Sequence, residues 1–168
     1  MLSDLVVDSN VLSHAQNPGN ANFEDAGILL EKLAASSTML CMDGRFTIGV
    51  GNSSLIGQEY LDNVGFGGVA FATLQFLMQT DRIKVVSVKV PLGEKKIVDS
   101  LVPNNKRDRT FVKVAFNSDE QRLVSHDFED FTESVRTKIR ARLGVLIQEA
   151  LDVHPDLLPE GYKSDSSE

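Results

Sequence analysis

The chain has 168 residues, of which 42% are hydrophobic and 24% charged, and this composition fits one soluble globular domain with a sizeable core. It contains no apolar run long enough for a membrane span or a signal peptide, and its single cysteine excludes an internal disulfide and a cysteine-based zinc cluster. The net charge of −7 argues against a generic nucleic-acid coat. We therefore expect a cytoplasmic protein in which Cys41 is a buried, unreactive thiol.

Apolar periodicity predicts strands that alternate with helices. In chain order, the predicted elements are a strand at 2–7, a helix at 23–35, a strand at 38–42, a helix from Ser53 or Ser54 to Val64, a helix at 69–80, a strand at 83–88, helices at 94–101 and 107–117, a strand at 122–125 and a helix at 132–152. Asn22 and Thr132 are candidate helix caps. The alternation predicts an α/β fold, a parallel sheet of about four to five strands with helices on both faces.

Two segments depart from this simple alternation. The glycine-rich break Gly65–Gly68 does not follow a strand and lacks the full dinucleotide fingerprint, so we discount a cofactor loop there. The long helix at 132–152 has an apolar stripe that suits either core packing or a dimer or partner surface. We expect one domain over residues 1–153, followed by a polar, flexible tail at 154–168.

Charge is distributed unevenly along the chain. Residues 82–113 contain nine Lys and Arg and three acids, a net charge of +6, so the remainder carries −13. A basic flank that meets phosphate, while acids gather elsewhere around a cation, would give this asymmetry. Solvated lysines on a surface loop and helix would give it as well.

Four acids occupy positions that suit a shared site. Asp8 ends the first strand and Asp127 follows the last one, with Asp130 close behind, whereas Glu59 and Asp108 lie on predicted helices. Carboxyl ends of parallel strands form the edge of the sheet where ligands bind. Each acid alone also has a structural explanation, as a partner of a helix dipole, a turn residue or a solvated helix residue.

Taken together, the acids predict a metal site. Hard divalent cations such as Mg²⁺ and Mn²⁺ prefer carboxylate oxygens, and clustered carboxylates repel one another unless a cation is bound. Three basic residues beside Asp108 would supply phosphate contacts: Lys106, Arg107 and Arg109.

These motifs, in this order over about residues 2–131, resemble the PIN-domain family of Mg²⁺- or Mn²⁺-dependent ribonucleases. The resemblance is carried by Val7-Asp8-Ser9-Asn10-Val11-Leu12, by the helix from Ser54 to Leu61 with Glu59, by Asp108 with Phe111, Val112 and Ala115, and by Leu123-Val124-Ser125-His126-Asp127 followed by Asp130-Phe131. The first and last motifs are the more specific ones.

The resemblance implies a metal-dependent endoribonuclease in which Asp8, Glu59, Asp108 and Asp127 bind Mg²⁺ or Mn²⁺. It further implies Asp130 as an additional or alternative ligand, Asn10 and Ser125 as supporting polar residues that contact substrate, and RNA as the substrate. Many relatives are toxins that pair with an antitoxin, and many form homodimers, so the resemblance also implies a toxin role, an antitoxin or other protein partner and a homodimer for this chain. This chain departs from the pattern in its greater length, its acidic charge and the absence of an obvious final short strand.

Two other functions are compatible with the sequence. The first is a catalytically silent PIN-like module that binds RNA or a protein partner. The second, a phosphate-binding α/β signalling domain, matches poorly because it would require an acid pair near the start and Asp4 precedes the strand. The histidines lack metal-ligand spacing, and His126, next to Asp127, is either a substrate contact or a surface turn residue.

Overall fold

The computed structural model describes residues 2–159 of the chain. The elements are β1 (Asp4–Val7), α1 (Ser9–His14), α2 (Phe23–Ala35), β2 (Met39–Met42), α3 (Leu55–Val64), α4 (Gly68–Gln79), β3 (Ile83–Val85), α5 (Leu92–Leu101), α6 (Lys106–Asn117), β4 (Arg122–Val124), α7 (Glu133–Leu143), β5 (Leu146–Gln148), α8 (Ala150–Val153) and a 3₁₀ turn (His154–Asp156). No helix of this described part is long and apolar enough to cross a bilayer.

Five parallel strands form one sheet in the order β3-β2-β1-β4-β5. The predicted α/β class is therefore confirmed. Strand β1 lies in the middle, and all four of its residues are buried, which explains its nearly continuous apolar sequence. Val7 of β1 pairs with Val124 of β4, so the residues after these two positions emerge side by side at the carboxyl edge.

The helices form two layers around this sheet. The strand order, together with the general right-handedness of parallel crossovers, assigns α1 to α4, between β1 and β3, to one face and α5 to α7, between β3 and β5, to the other. Contacts within each layer agree, since α1 packs on α3 and α2 on α4, whereas α5 packs on α6 and α7. Helices α3 and α6 also contact each other, which brings together the helices that carry Glu59 and Asp108.

The predicted helix over 132–152 is confirmed as far as Leu143 and is wrong beyond it. Helix α7 ends at Leu143, where Gly144 adopts a left-handed conformation (φ 75°) that favours glycine and stops the helix. The chain then forms strand β5 and the short helix α8. Strand β5 is the final short strand that was not obvious from the sequence, and it completes the sheet beside β4.

Smaller differences concern caps and element ends. Ser54 and Thr132 cap their helices as predicted, but the side chain of Asn22 makes no capping bond. Helix α1 was not predicted, and the third strand ends at Val85 rather than at residue 88.

The chain beyond residue 153 packs against the domain as far as the structure describes it. Leu157 is buried, and Lys32 Nζ donates a hydrogen bond to the carbonyl oxygen of His154 (3.2 Å). Residues 160–168 of the predicted tail lie outside the described residues. Cys41 is buried as predicted, and burial raises the pKa of its thiol to about 12.

Asp4 anchors the amino end of β1. Its buried carboxylate accepts hydrogen bonds from Lys84 Nζ (2.7 Å) and from the backbone N–H groups of Asp119 (2.9 Å) and Glu120 (3.0 Å). Burial opposes ionisation, but these donors together lower the pKa of Asp4. Its stabilising contribution is therefore present above the pKa of the unfolded chain and is lost as the pH falls through the lower folded value.

Asp4→Ala should lower the free energy of unfolding by about 2 kcal/mol at pH 7, because it leaves buried donors unpaired. Urea denaturation measures the change. Asp119→Ala is the matched control, since Asp119 is the other carboxylate bound to Lys84 and its side chain is 72% exposed. Its removal should have little effect. An equal loss of unfolding free energy in the two variants would contradict the stabilising role of Asp4.

Candidate metal centre

Asp8 lies where β1 ends and α1 begins. It occupies the N-cap position of α1, but its side chain makes no capping bond. Instead, Asp8 Oδ2 accepts a hydrogen bond from Ser125 Oγ (2.7 Å) on the neighbouring strand end. Only 3% of Asp8 is exposed, so the carboxylate is held in place and largely shielded from solvent.

Asp127 is held by the turn that follows β4. Ser125 Oγ accepts from the Asp127 N–H (3.1 Å), and Asp127 Oδ1 accepts from the N–H groups of Glu129 (2.8 Å) and Asp130 (3.1 Å). Ser125 thus connects Asp8 with Asp127 directly. The pairing of β1 with β4 brings these residues together, as the sequence predicted from the strand ends.

Asp108 comes from the first turn of α6. The side-chain oxygen of Asn105 caps this helix by accepting from the N–H groups of Arg107 (3.0 Å) and Asp108 (3.3 Å). The Asp108 carboxylate is therefore not needed as a cap. Asp108 is only 4% exposed, and its Oδ2 atom is buried without a hydrogen-bond partner.

The three carboxylates converge at the carboxyl edge of the sheet. One oxygen each of Asp8, Asp108 and Asp127 lie within 4.8 Å of one another. Burial, opposed by the Ser125 hydrogen bond and reinforced by Glu59, raises the pKa of Asp8 to about 6. Burial, the Asp130 carboxyl and the charge of Asp8 raise the pKa of Asp108 to about 8. Negative charge in this cluster is costly without a cation.

Glu59 and Asp130 lie outside this set of three oxygens. Glu59 Oε1 accepts from Ser9 Oγ (3.0 Å), and that hydroxyl is also 3.5 Å from Asp8 Oδ1, so Ser9 joins Glu59 to the cluster. Burial raises the pKa of Glu59, and the Ser9 hydrogen bond and Arg107 oppose the rise. Asp130 adjoins Asp108, whose pKa it raises.

The donor set fits a hard divalent cation. Carboxylate oxygens are the ligands that Mg²⁺ and Mn²⁺ prefer. The unpartnered Asp108 Oδ2 is the strongest structural argument, because a buried carboxyl oxygen without a donor is costly to ionise and a cation would satisfy its charge. Asp8, Asp108 and Asp127 would hold the ion. Glu59 is linked to Asp8 through Ser9, and Asp130 adjoins Asp108.

The other residues predicted to contact substrate have varied surroundings. Asn10 Oδ1 accepts from the His126 N–H (3.2 Å), which ties α1 to the loop after β4. Arg109 donates to the carbonyl oxygens of Val102 (3.1 Å) and Pro103 (2.9 Å), so it also secures the loop before α6. Lys106 and Arg107 are exposed in the same helical turn as Asp108.

His126 is half-buried and paired with His14 through Nδ1 atoms 2.8 Å apart. Its Nε2 atom accepts from the Ala150 N–H (3.1 Å), so neutral His126 carries its proton on Nδ1 and donates it to His14. Burial, together with the nearby His14 and Arg136, lowers the pKa of His126 to about 4. The ring therefore connects α1 with the start of α8.

Sequence reasoning missed Arg136, which shapes the loop after β4. Arg136 donates to the carbonyl oxygens of Phe131 (2.8 Å), Ser125 (3.2 Å) and Asp127 (2.8 Å). Its guanidinium carbon also lies 4.0 Å from the ring centroid of Phe128. No spacing signal marks this role, because a residue of α7 reaches back to a loop through tertiary contacts.

Sequence reasoning also missed Asp43, which follows β2 at the same edge. Its carboxylate accepts from Ser54 Oγ (2.6 Å) and from the N–H groups of Leu55 (2.9 Å) and Ile56 (3.0 Å). Its position after an apolar strand was a signal that could have been read. Asp43 thereby fixes the start of α3, the helix that carries Glu59.

The two helical layers carry opposite charge. Helices α5 to α7 contain ten Lys and Arg and four acids, a net charge of +6. Helices α1 to α4 contain one Lys and five acids, a net charge of −4. The basic flank predicted for residues 82–113 thus extends to α7, which adds Arg136, Lys138, Arg140 and Arg142.

No family model matches the chain, and no curated protein matches it.

Proposed function

We propose that this protein is a PIN-like, Mg²⁺- or Mn²⁺-dependent ribonuclease that hydrolyses phosphodiester bonds at the cluster of Asp8, Asp108 and Asp127. The convergence of these carboxylates, one of which has a buried oxygen without a partner, is the observation that carries the proposal. The choice of RNA among phosphodiesters comes from the resemblance of the sequence motifs. The toxin role, the antitoxin partner and the homodimer stay predictions.

Each part of the site has a distinct task in this proposal. A divalent cation held by Asp8, Asp108 and Asp127 would supply Lewis-acid stabilisation of the phosphate and would lower the pKa of the attacking water. Ser125 holds the Asp8 carboxylate in a fixed orientation, and the turn at Asp127 fixes the third acid. Lys106 and Arg107 lie in the same turn as Asp108, where they can bind phosphate oxygens.

The basic layer, helices α5 to α7, is the face along which the RNA substrate would bind. This layer has a net charge of +6 and lies next to the carboxylate cluster at α6 and α7. The opposite layer, helices α1 to α4, is acidic. Phosphate contacts dominate the affinity of proteins for nucleic acids. An overall acidic protein can therefore bind RNA along one of its faces.

Cleavage of a mixed RNA pool tests the proposal. We expect the wild type to cleave in Mg²⁺ or Mn²⁺, to stop in EDTA and to resume when metal is restored, because the carboxylates alone offer no charge stabilisation. Asp108→Asn should remove this activity, whereas Asp152→Asn, which changes an exposed acid of α8, should retain it. Equal activity of wild type and Asp108→Asn would refute the nuclease assignment, and RNA binding without cleavage would favour a silent module.

A further inference from the structure

We infer that Phe128 is a stacking platform for an unpaired RNA base next to the cleavage site, an inference that rests on the proposed function. Phe128 directly follows Asp127 in the chain, so its Cα lies about 3.8 Å from that of a cluster residue. A large aromatic side chain that is 43% exposed at this position is not explained by core packing.

The ring is held rather than loosely exposed. The guanidinium of Arg136 covers one side of it at 4.0 Å, a cation–π contact. Arg136 is itself fixed by the carbonyl oxygens of Ser125, Asp127 and Phe131. The turn made by Asp127 Oδ1 fixes the backbone on either side of Phe128. A ring with few remaining conformations loses little entropy when a ligand stacks on it.

The part of the ring that Arg136 does not cover is apolar, and it belongs to the residue that directly follows Asp127. A nucleobase is the part of RNA that suits such a surface, because every base has a flat π face. Stacking requires that the base leave its helix, so the preferred substrate is an unpaired strand. The neighbouring phosphates would follow the basic layer, which includes the exposed Arg140 one turn beyond Arg136.

Binding of a labelled single-stranded oligoribonucleotide, measured by fluorescence anisotropy in Mg²⁺, tests the platform. The parent protein carries Asp8→Asn so that the probe is not cut. Added Phe128→Leu, which keeps an apolar side chain against Arg136 but removes the π face, should weaken binding about tenfold or more. Phe128→Trp should bind as tightly as the parent or more tightly.

Phe76→Leu is the matched control, because Phe76 is 44% exposed but lies on α4 in the acidic layer. It should leave the affinity unchanged. A second probe of the same length, with ribose-phosphate units that lack bases, should bind the parent and Phe128→Leu equally. Thermal unfolding of each variant verifies that it is folded.

Equal binding of the RNA by the parent and Phe128→Leu would overturn the inference, as would an equal loss with the baseless strand. The stacking inference and the nuclease proposal can fail independently of each other. Metal-dependent cleavage by the wild type, with no effect of Phe128, would leave the nuclease and remove the platform. A Phe128-dependent affinity without cleavage would leave the platform on a protein that only binds RNA.

Discussion

Asp8→Asn is expected to lower the turnover number for RNA cleavage by about 10³-fold, because removing a cation ligand costs several kcal/mol of transition-state stabilisation. Ser125 orients Asp8, because the Ser125 hydroxyl donates a hydrogen bond of 2.7 Å to Asp8 Oδ2. Asparagine has nearly the same shape and can keep the hydrogen bond, but it has no negative charge. The loss should therefore appear in turnover rather than in the affinity for RNA.

Single-turnover cleavage with protein in excess measures this rate. Ser125→Ala should lower it by a smaller factor, about 10- to 100-fold, because Ser125 acts only by positioning a ligand. The exposed Asp152→Asn serves again as the control. If Asp8→Asn retained a rate within fivefold of the wild type, Asp8 could not be a ligand of the catalytic cation.

Asp108→Asn is expected to stabilise the metal-free protein at pH 8 by on the order of 3 kcal/mol. Burial and neighbouring acids raise the pKa of Asp108 to about 8 in the folded state, far above its ordinary value. Between these two values the folded chain keeps a proton that the unfolded chain releases, so the free energy of unfolding falls as the pH rises. Asparagine stays neutral and removes this loss.

Urea denaturation in EDTA between pH 5 and pH 8 measures the effect. The wild type should become less stable as the pH rises through this window, and its difference from Asp108→Asn should shrink toward pH 5. Asp8, with its pKa of about 6, should add to the same trend. Mg²⁺ should then stabilise the wild type but not Asp108→Asn, because only the wild type offers the complete donor set.

A variant that is no more stable than the wild type at pH 8 would show that Asp108 is not under electrostatic strain. Asp152→Asn again provides the control, since this acid is exposed on α8 and is not one of the three clustered carboxylates. A gain in stability together with a loss of activity would be the signature of a functional site maintained at the expense of folding.

The position of Asp8 and Asp127 could be predicted because both follow apolar strands, and parallel strands present their carboxyl ends at one edge. Asp108 was predicted from its motif, but its burial and its unpartnered oxygen were not, nor was Asn105 as the residue that caps α6. The distances between the acidic side chains could not be derived from the sequence. Glu59 contacts Ser9 and lies outside the group of three oxygens, which no spacing along the chain could reveal.

The end of α7 shows why apolar spacing can mislead. Leu143, Leu146 and Ile147 fit a helical stripe as well as they fit a helix end followed by a buried strand. Gly144 was the local signal for the second arrangement. Arg136 and Phe128 were missed for a different reason, since their roles depend on tertiary contacts that are absent from any local pattern.

The opposite charges of the two helical layers have a consequence for the encounter between protein and RNA. If RNA is the substrate, the net charge of −7 repels it at long range, whereas helices α5 to α7, with a net charge of +6, attract it to one face. We therefore expect collisions that present this face to be the productive ones. Added salt shortens the reach of this field, so it would slow association much more than it would change the chemistry at the carboxylates.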